Sequence, residues 1–199
     1  MKCSSQSKEI SVKGLLGRIW KLAYAQIDLK NVTLRIQDGS TPSPNHIDVT
    51  IGEGNFTYDE TKNRDYQLDR GKLNTVRDGD EAPMDISFDF IWDYITGSSD
   101  SGAIPTVEDA LKRKGPAADW ATTDSDPCAP YCVDLILLNV PICTAEGDKE
   151  TLTFPDFRYE KLAHDTKAGT VACTGKCNAV EPTVLREPNT SPSPSPSPF

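Results

Sequence analysis

The sequence predicts a mainly β fold: an antiparallel, sandwich- or barrel-like domain with one long β-hairpin and one short α-helix. Three observations carry this. Along residues 84–94 the even positions read Met84, Ile86, Phe88, Phe90, Trp92 and Tyr94, while the odd positions open with Asp85, Ser87 and Asp89. A period of two marks a strand with one buried and one wet face; a helix would scatter both sets around its circumference. Similar alternation recurs between turns rich in the chain's fifteen prolines and thirteen glycines. Only residues 107–114 carry helix signals. Thr106 and Asp109 form a near capping box, Glu108 and Asp109 come early, Lys112 and Lys114 come late, and Gly115-Pro116 ends the run.

Taken in order, residues 1–25 form a basic extension, 26–186 a β domain, and 187–199 a Ser-Pro tail that cannot build a core. The domain opens with IDLKNVTLRIQ (27–37), where the apolar parity switches at Lys30-Asn31 and predicts a β-bulge. Residues 46–51 alternate with Ile47, Val49 and Ile51 inward, and 55–59 resume with Phe56 and Tyr58. A polar turn is expected over 60–65 and a strand over 66–77. Asp78-Gly79-Asp80 then reads as a hairpin turn, which makes 68–95 one long hairpin. Its last arm is the 84–94 strand, with Phe88, Phe90 and Trp92 toward the core. On its wet face Asp85, Asp89 and Asp93 stand in a row, because residues i and i+4 of a strand point the same way.

After a glycine-rich loop (97–103) and the helix, residues 132–140 are dense in Val133, Leu135, Ile136, Leu137 and Leu138, as in a strand covered on both faces. Residues 150–162 read as a strand in which Pro155 requires an edge or a bulge. The last expected strand is 169–179, followed by a polar run to Arg186.

The net charge of −9 argues against a basic nucleic-acid-binding patch, though not against a surface that keeps nucleic acid at a distance. No apolar run reaches the length of a membrane helix. The two histidines, His46 and His164, stand apart in a strand and a turn, and no phosphate loop, GxSxG or HExxH occurs. The chain is expected not to be an enzyme and to need no cofactor. Of six cysteines, Cys128, Cys132, Cys143, Cys173 and Cys177 are the candidates for a zinc site. Residues four apart on an extended strand stand about 13 Å from each other, so only tight turns would gather them. A zinc-stabilised β domain and an exported, disulfide-stapled β binding module, the latter cleaved after Ala25, stay open beside the free-thiol reading.

Two blocks carry a resemblance. VRDGDEAPMDISFDFIWDYITG (76–97) is similar to the long hairpin of phage major tail tube proteins, and FPDFRYEKLAHDTKAGTVACTGKCNAVEPTV (154–184) resembles their C-terminal half. IDLKNVTLRIQDGS (27–40) and IPTVEDALKRKG (104–115) fit the same order, so the resemblance spans about residues 26–185. It implies a virion structural protein. On it, six copies would form a ring, and rings would stack into the tail tube through which viral DNA passes without specific binding, with other tail proteins at the tube ends. Assembly would take place in the host cytoplasm. On that resemblance Asp85, Asp89 and Asp93 face the lumen.

Overall fold

The computed structural model describes residues 10–13, 19–22, 32–51, 55–92, 104–139 and 149–187. The 97–103 loop, residues 188–199 of the Ser-Pro tail, residues 27–31, Asp93, Cys3 and Cys143 lie outside the described residues. Strands β1 (Ile10–Lys13) and β2 (Ile19–Leu22) pair with each other within the N-terminal extension. There follow β3 (Val32–Gln37), β4 (His46–Val49), β5 (Phe56–Asp59), β6 (Lys62–Asp69), β7 (Lys72–Glu81) and β8 (Met84–Ile91). Helix α1 (Val107–Lys112) and a 3-10 turn (Gly115–Ala117) lead to β9 (Val133–Asn139), β10 (Lys149–Asp165), β11 (Thr170–Cys177) and β12 (Thr183–Glu187). The main sheet is antiparallel in the order β4-β3-β9-β10-β11-β8-β5, with β12 beside the first half of β10. It has two ends and so stays open. No helix among the described residues is long and apolar enough to cross a membrane.

The sheet is in two halves joined by β10, whose residues 150–157 pair with β9 and 158–165 with β11. The halves share one core. Leu34 and Ile36 of β3 and Leu135 of β9 belong to the same buried cluster as Phe88 and Phe90 of β8. Aromatic contacts link the halves: Phe56 lies 5.4 Å from Phe154, and Phe88 lies 5.9 Å from Phe157. As its alternation predicts, β8 buries Met84, Ile86, Phe88 and Phe90 and turns Asp85, Ser87 and Asp89 outward. Trp92 departs from that pattern. The strand ends at Ile91, and Trp92 is 44% exposed, edge-on to His164 at 5.2 Å. Strand β9 is fully buried on one face, at Val133, Leu135 and Leu137, and partly buried on the other, at Ile136 and Leu138.

The long hairpin exists, but its turn lies elsewhere. Strands β6 and β7 pair around Arg70-Gly71, with Asp69 opposite Lys72. Both turn residues have positive φ, 49° and 79°, which a two-residue hairpin turn of this hand requires. Asp78, Gly79 and Asp80 are strand residues of β7, and the expected 60–65 turn is mostly β6. Since β5 also pairs with β8, residues 56–91 form one hairpin. Its base belongs to the sheet and its outer part, β6–β7, projects. The interruption falls at Ala82-Pro83, where proline has no N–H for the ladder. A second correction concerns the polar run before Arg186, which forms β12 by pairing Thr183–Glu187 with the start of β10.

Helix α1 is capped as predicted: the Thr106 side chain and backbone both bond to Asp109, and Val107, Ala110 and Leu111 enter the core. The loop after it is tied down by Asp38, which is 2% exposed at the end of β3. Its carboxylate accepts from Ser40 N (3.2 Å) and Oγ (2.7 Å), Asn45 N (2.7 Å) and Nδ2 (2.9 Å), and Ala121 N (3.2 Å). Burial pushes its pKa up, but the donors on Asn45, Ser40 and Ala121 outweigh burial and hold it below the ordinary value. A depressed folded-state pKa gives stability that is present above the unfolded value, near 3.9, and is lost as pH falls through the folded one. Asp38→Asn, which turns an acceptor into a donor among donors, is expected to cost about 1–3 kcal/mol at pH 7. The difference from wild type should shrink below about pH 4, as read from urea unfolding midpoints at several pH values.

Candidate functional site: a projecting arm and a charged sheet face

The outward face of β8 is where the sequence places its row of aspartates. Asp85 is exposed and Asp89 half-buried, both on that face; Asp93 lies outside the described residues. The neighbouring strands add what the sequence alone does not show. On one side Asp59 of β5 stands opposite Asp85, two like charges in one register. On the other side Lys176 of β11 stands opposite Asp85, with Nζ 3.0 Å from Oδ1. The hydrogen bond that Lys176 donates to Asp85, and then the charge of Asp85, raise the Lys176 pKa. Asp89 stands opposite Ala172 instead. A depression on this face is lined by Thr57, Asp59, Asp85, Ser87, Glu160 and Thr174 among others. Which strands lie beside β8 is a matter of topology, so alternation within 84–94 carried no signal for Lys176.

The second feature is the arm. Every residue from 62 to 78 is exposed. Its two faces differ. Tyr66 stands opposite Val76 and Leu68 opposite Leu73, because a register shift between Gln67 and Leu68 absorbs Asn74. These four side chains are exposed by 61%, 43%, 67% and 60% respectively. The opposite face pairs Asp65 with Arg77 and Asp69 with Lys72, and the Thr75 hydroxyl bonds Gln67 Oε1 at 3.1 Å. The arm is thus an amphipathic ribbon. A two-stranded ribbon alone is marginal in water, and burying each such apolar side chain is worth about 1.5–3 kcal/mol. From Arg64 to Asp78 four cations (Arg64, Arg70, Lys72 and Arg77) stand against three acids (Asp65, Asp69 and Asp78), a nearly neutral segment on a chain of net charge −9.

The cysteines do not form a thiolate cluster among the described residues. Cys132, Cys173 and Cys177 are buried and free, and Cys128 is exposed. Burial pushes the Cys173 and Cys177 thiols up to about 12, so they stay protonated at neutral pH. Among the described residues the one group with donor atoms within 4.8 Å of each other is Asp124, Cys132 and Asp156. It is satisfied by the protein itself. Arg158 Nη2 lies 2.5 Å from Asp124, and the Thr123 hydroxyl donates to Asp156 at 2.8 Å.

Comparison with known proteins adds little. No family model matches the chain, and no curated protein matches it. Among solved structures it is similar to a chain of "Cryo-EM structure of the anti-feeding prophage (AFP) baseplate, 6-fold symmetrised". The TM-score is 0.33 and the identity 7%, over 85% of this chain and 100% of that one. A likeness of that size carries no argument about function.

Burial orders the thiols by reactivity. Maleimide at neutral pH should label Cys128 in the folded chain and leave Cys132, Cys173 and Cys177 unmodified until denaturant is added. Peptide mapping by mass spectrometry checks this, and rapid native labelling of Cys173 would contradict the packing.

Proposed function

We propose that this chain is a self-assembling structural subunit of a phage tail tube, a component of the virion. Rings of six, the number implied by the sequence resemblance, stack into a conduit for viral DNA, and other tail proteins close its ends. The observation that carries this is the arm. A ribbon with four exposed apolar side chains on one face, reaching about 26 Å beyond its base at strand rise, is a surface for another chain. A second copy is the occupant that assembly supplies. The same reading uses the open ends of the sheet, where β4 and β5 have no further strand beside them among the described residues and copies in a ring would supply one.

On this reading the outward face of β8 lines the lumen. Asp85 and Asp89 meet the DNA, and Asp93 joins them if the strand parity continues. A conduit must not hold its cargo. Cations on its wall would bind phosphate through counterion release, whereas an acidic, hydrated wall lets the duplex slide. The role is architectural, and no catalytic step is assigned.

Negative-stain microscopy of the concentrated chain should show rings or tubes. Leu68→Ser with Leu73→Ser should abolish them without lowering the melting temperature, because these side chains are exposed in the single chain. A wild-type chain that stays monomeric at high concentration would overturn the proposal.

A further inference from the structure

We infer that Asp85 acts chiefly as a mask for Lys176, pinning its ammonium so that this face offers the duplex no free cation at that position. This assignment rests on the reading of the face as DNA-facing. Lys176 is an outward residue of β11, and its side chain is 41% exposed. Repeated by symmetry around a ring and along a stack, a free lysine there would give a lattice of phosphate contacts. Each contact makes binding tighter and steeper in salt. The register sets Asp85 directly opposite Lys176, and the 3.0 Å contact joins them. Asp89, one outward row but one further along β8, has only Ala172 opposite and masks nothing. Two other basic groups lie nearby. Arg158, beside Lys176 in the ladder, spends its guanidinium on Asp124, the Pro130 carbonyl and the Asp156 carbonyl. Lys161, opposite Thr174, follows Glu160 in the chain and is common to every variant below.

The two aspartates therefore differ in kind although they carry the same charge. Asp89 repels phosphate on its own. Asp85 does so mainly by neutralising a neighbour. A pure net-charge account predicts that losing either has the same effect; masking predicts that they do not.

The test uses the full-length chain on duplex DNA-cellulose, with partition measured over a range of salt concentrations. Asp85→Asn and Asp89→Asn change the net charge equally. Masking predicts that D85N is retained to higher salt than D89N, with a log–log salt slope steeper by about 0.9, the value of one added phosphate contact. Adding Lys176→Met to D85N should return the slope to that of wild type. Equal retention of D85N and D89N would overturn the masking role. Asp85→Lys with Asp89→Lys is the control for the face itself. If this folded double variant is retained while D85N and D89N stay equal, the face meets DNA and only the mask is wrong. If the double variant also elutes with wild type, the face does not meet phosphate, and the lumen reading falls with the mask. Thermal melts of each variant show that the fold is intact.

Discussion

The rest of the structure depends on the bulge in β10 at Pro155-Asp156. Phe154 and Phe157 are three residues apart, so in a regular strand they would point to opposite faces. Both are buried, at 0% and 1% exposure. The ladder with β9 shifts register between them, and Asp156 takes a φ of 52° while its N–H bonds the Asp134 carboxylate at 3.0 Å. A second shift follows between Tyr159 and Lys161 in the ladder with β11. These two irregularities let one strand serve both halves of the sheet and send both phenyl rings into one core. They constrain the neighbour as well. At Gly175 a Cβ would sit 2.2 Å from the Arg158 carbonyl oxygen and 2.7 Å from the Phe157 ring, so no side chain fits there.

The core built this way is the stable base from which the arm projects. Within the base, buried polar groups have partners: no buried side-chain nitrogen or oxygen among the described residues lacks a hydrogen bond. Asp38 stitches the β3–β4 connection to the loop at Ala121, and Arg158 stitches the sheet to the same loop through Asp124 and Pro130. Beyond the base, β6 and β7 hold each other by backbone pairing and a few surface side-chain contacts. The contrast between a fully satisfied base and an uncovered amphipathic ribbon is what gives the molecule its functional reading. The charged face of β8 depends on the same base, since the buried row of Met84, Ile86, Phe88 and Phe90 fixes which way Asp85 and Asp89 point.

Where side-chain pattern and burial coincide, the sequence was sufficient. The alternation of 84–90, the Thr106–Asp109 cap and the edge or bulge that Pro155 requires are all local; the first two stand in the structure, and of the last pair it is the bulge that does. What was missed depends on partners distant in sequence or on turn chemistry outside the common pattern. Asp-Gly at 78–79 is the stronger hairpin signal, yet the chain turns at Arg70-Gly71, where arginine accepts a positive φ. Placing the turn there makes β7 and β8 successive parts of one side of the hairpin and lets β8 pair with β5 and β11. Trp92 has the right parity for the core but falls just past the strand end, where it is 44% exposed and packs against His164 instead. Strand β12 has no apolar face to announce it, since all five of its residues are exposed; it exists because β10 offers a free edge. Lys176 was invisible as a partner of Asp85 for the same reason.

The central claim is that the β6–β7 arm is an interface between copies of this chain. Hydrogen–deuterium exchange of its amides tests it most directly, because a two-stranded ribbon with both faces in water opens readily whereas a covered one does not. The account predicts fast exchange over residues 62–81 in the dilute chain, and strong protection of the same amides once the concentrated chain has assembled. The core amides of β8 and β11 should be protected in both. Fast exchange of the arm in assembled protein would contradict it.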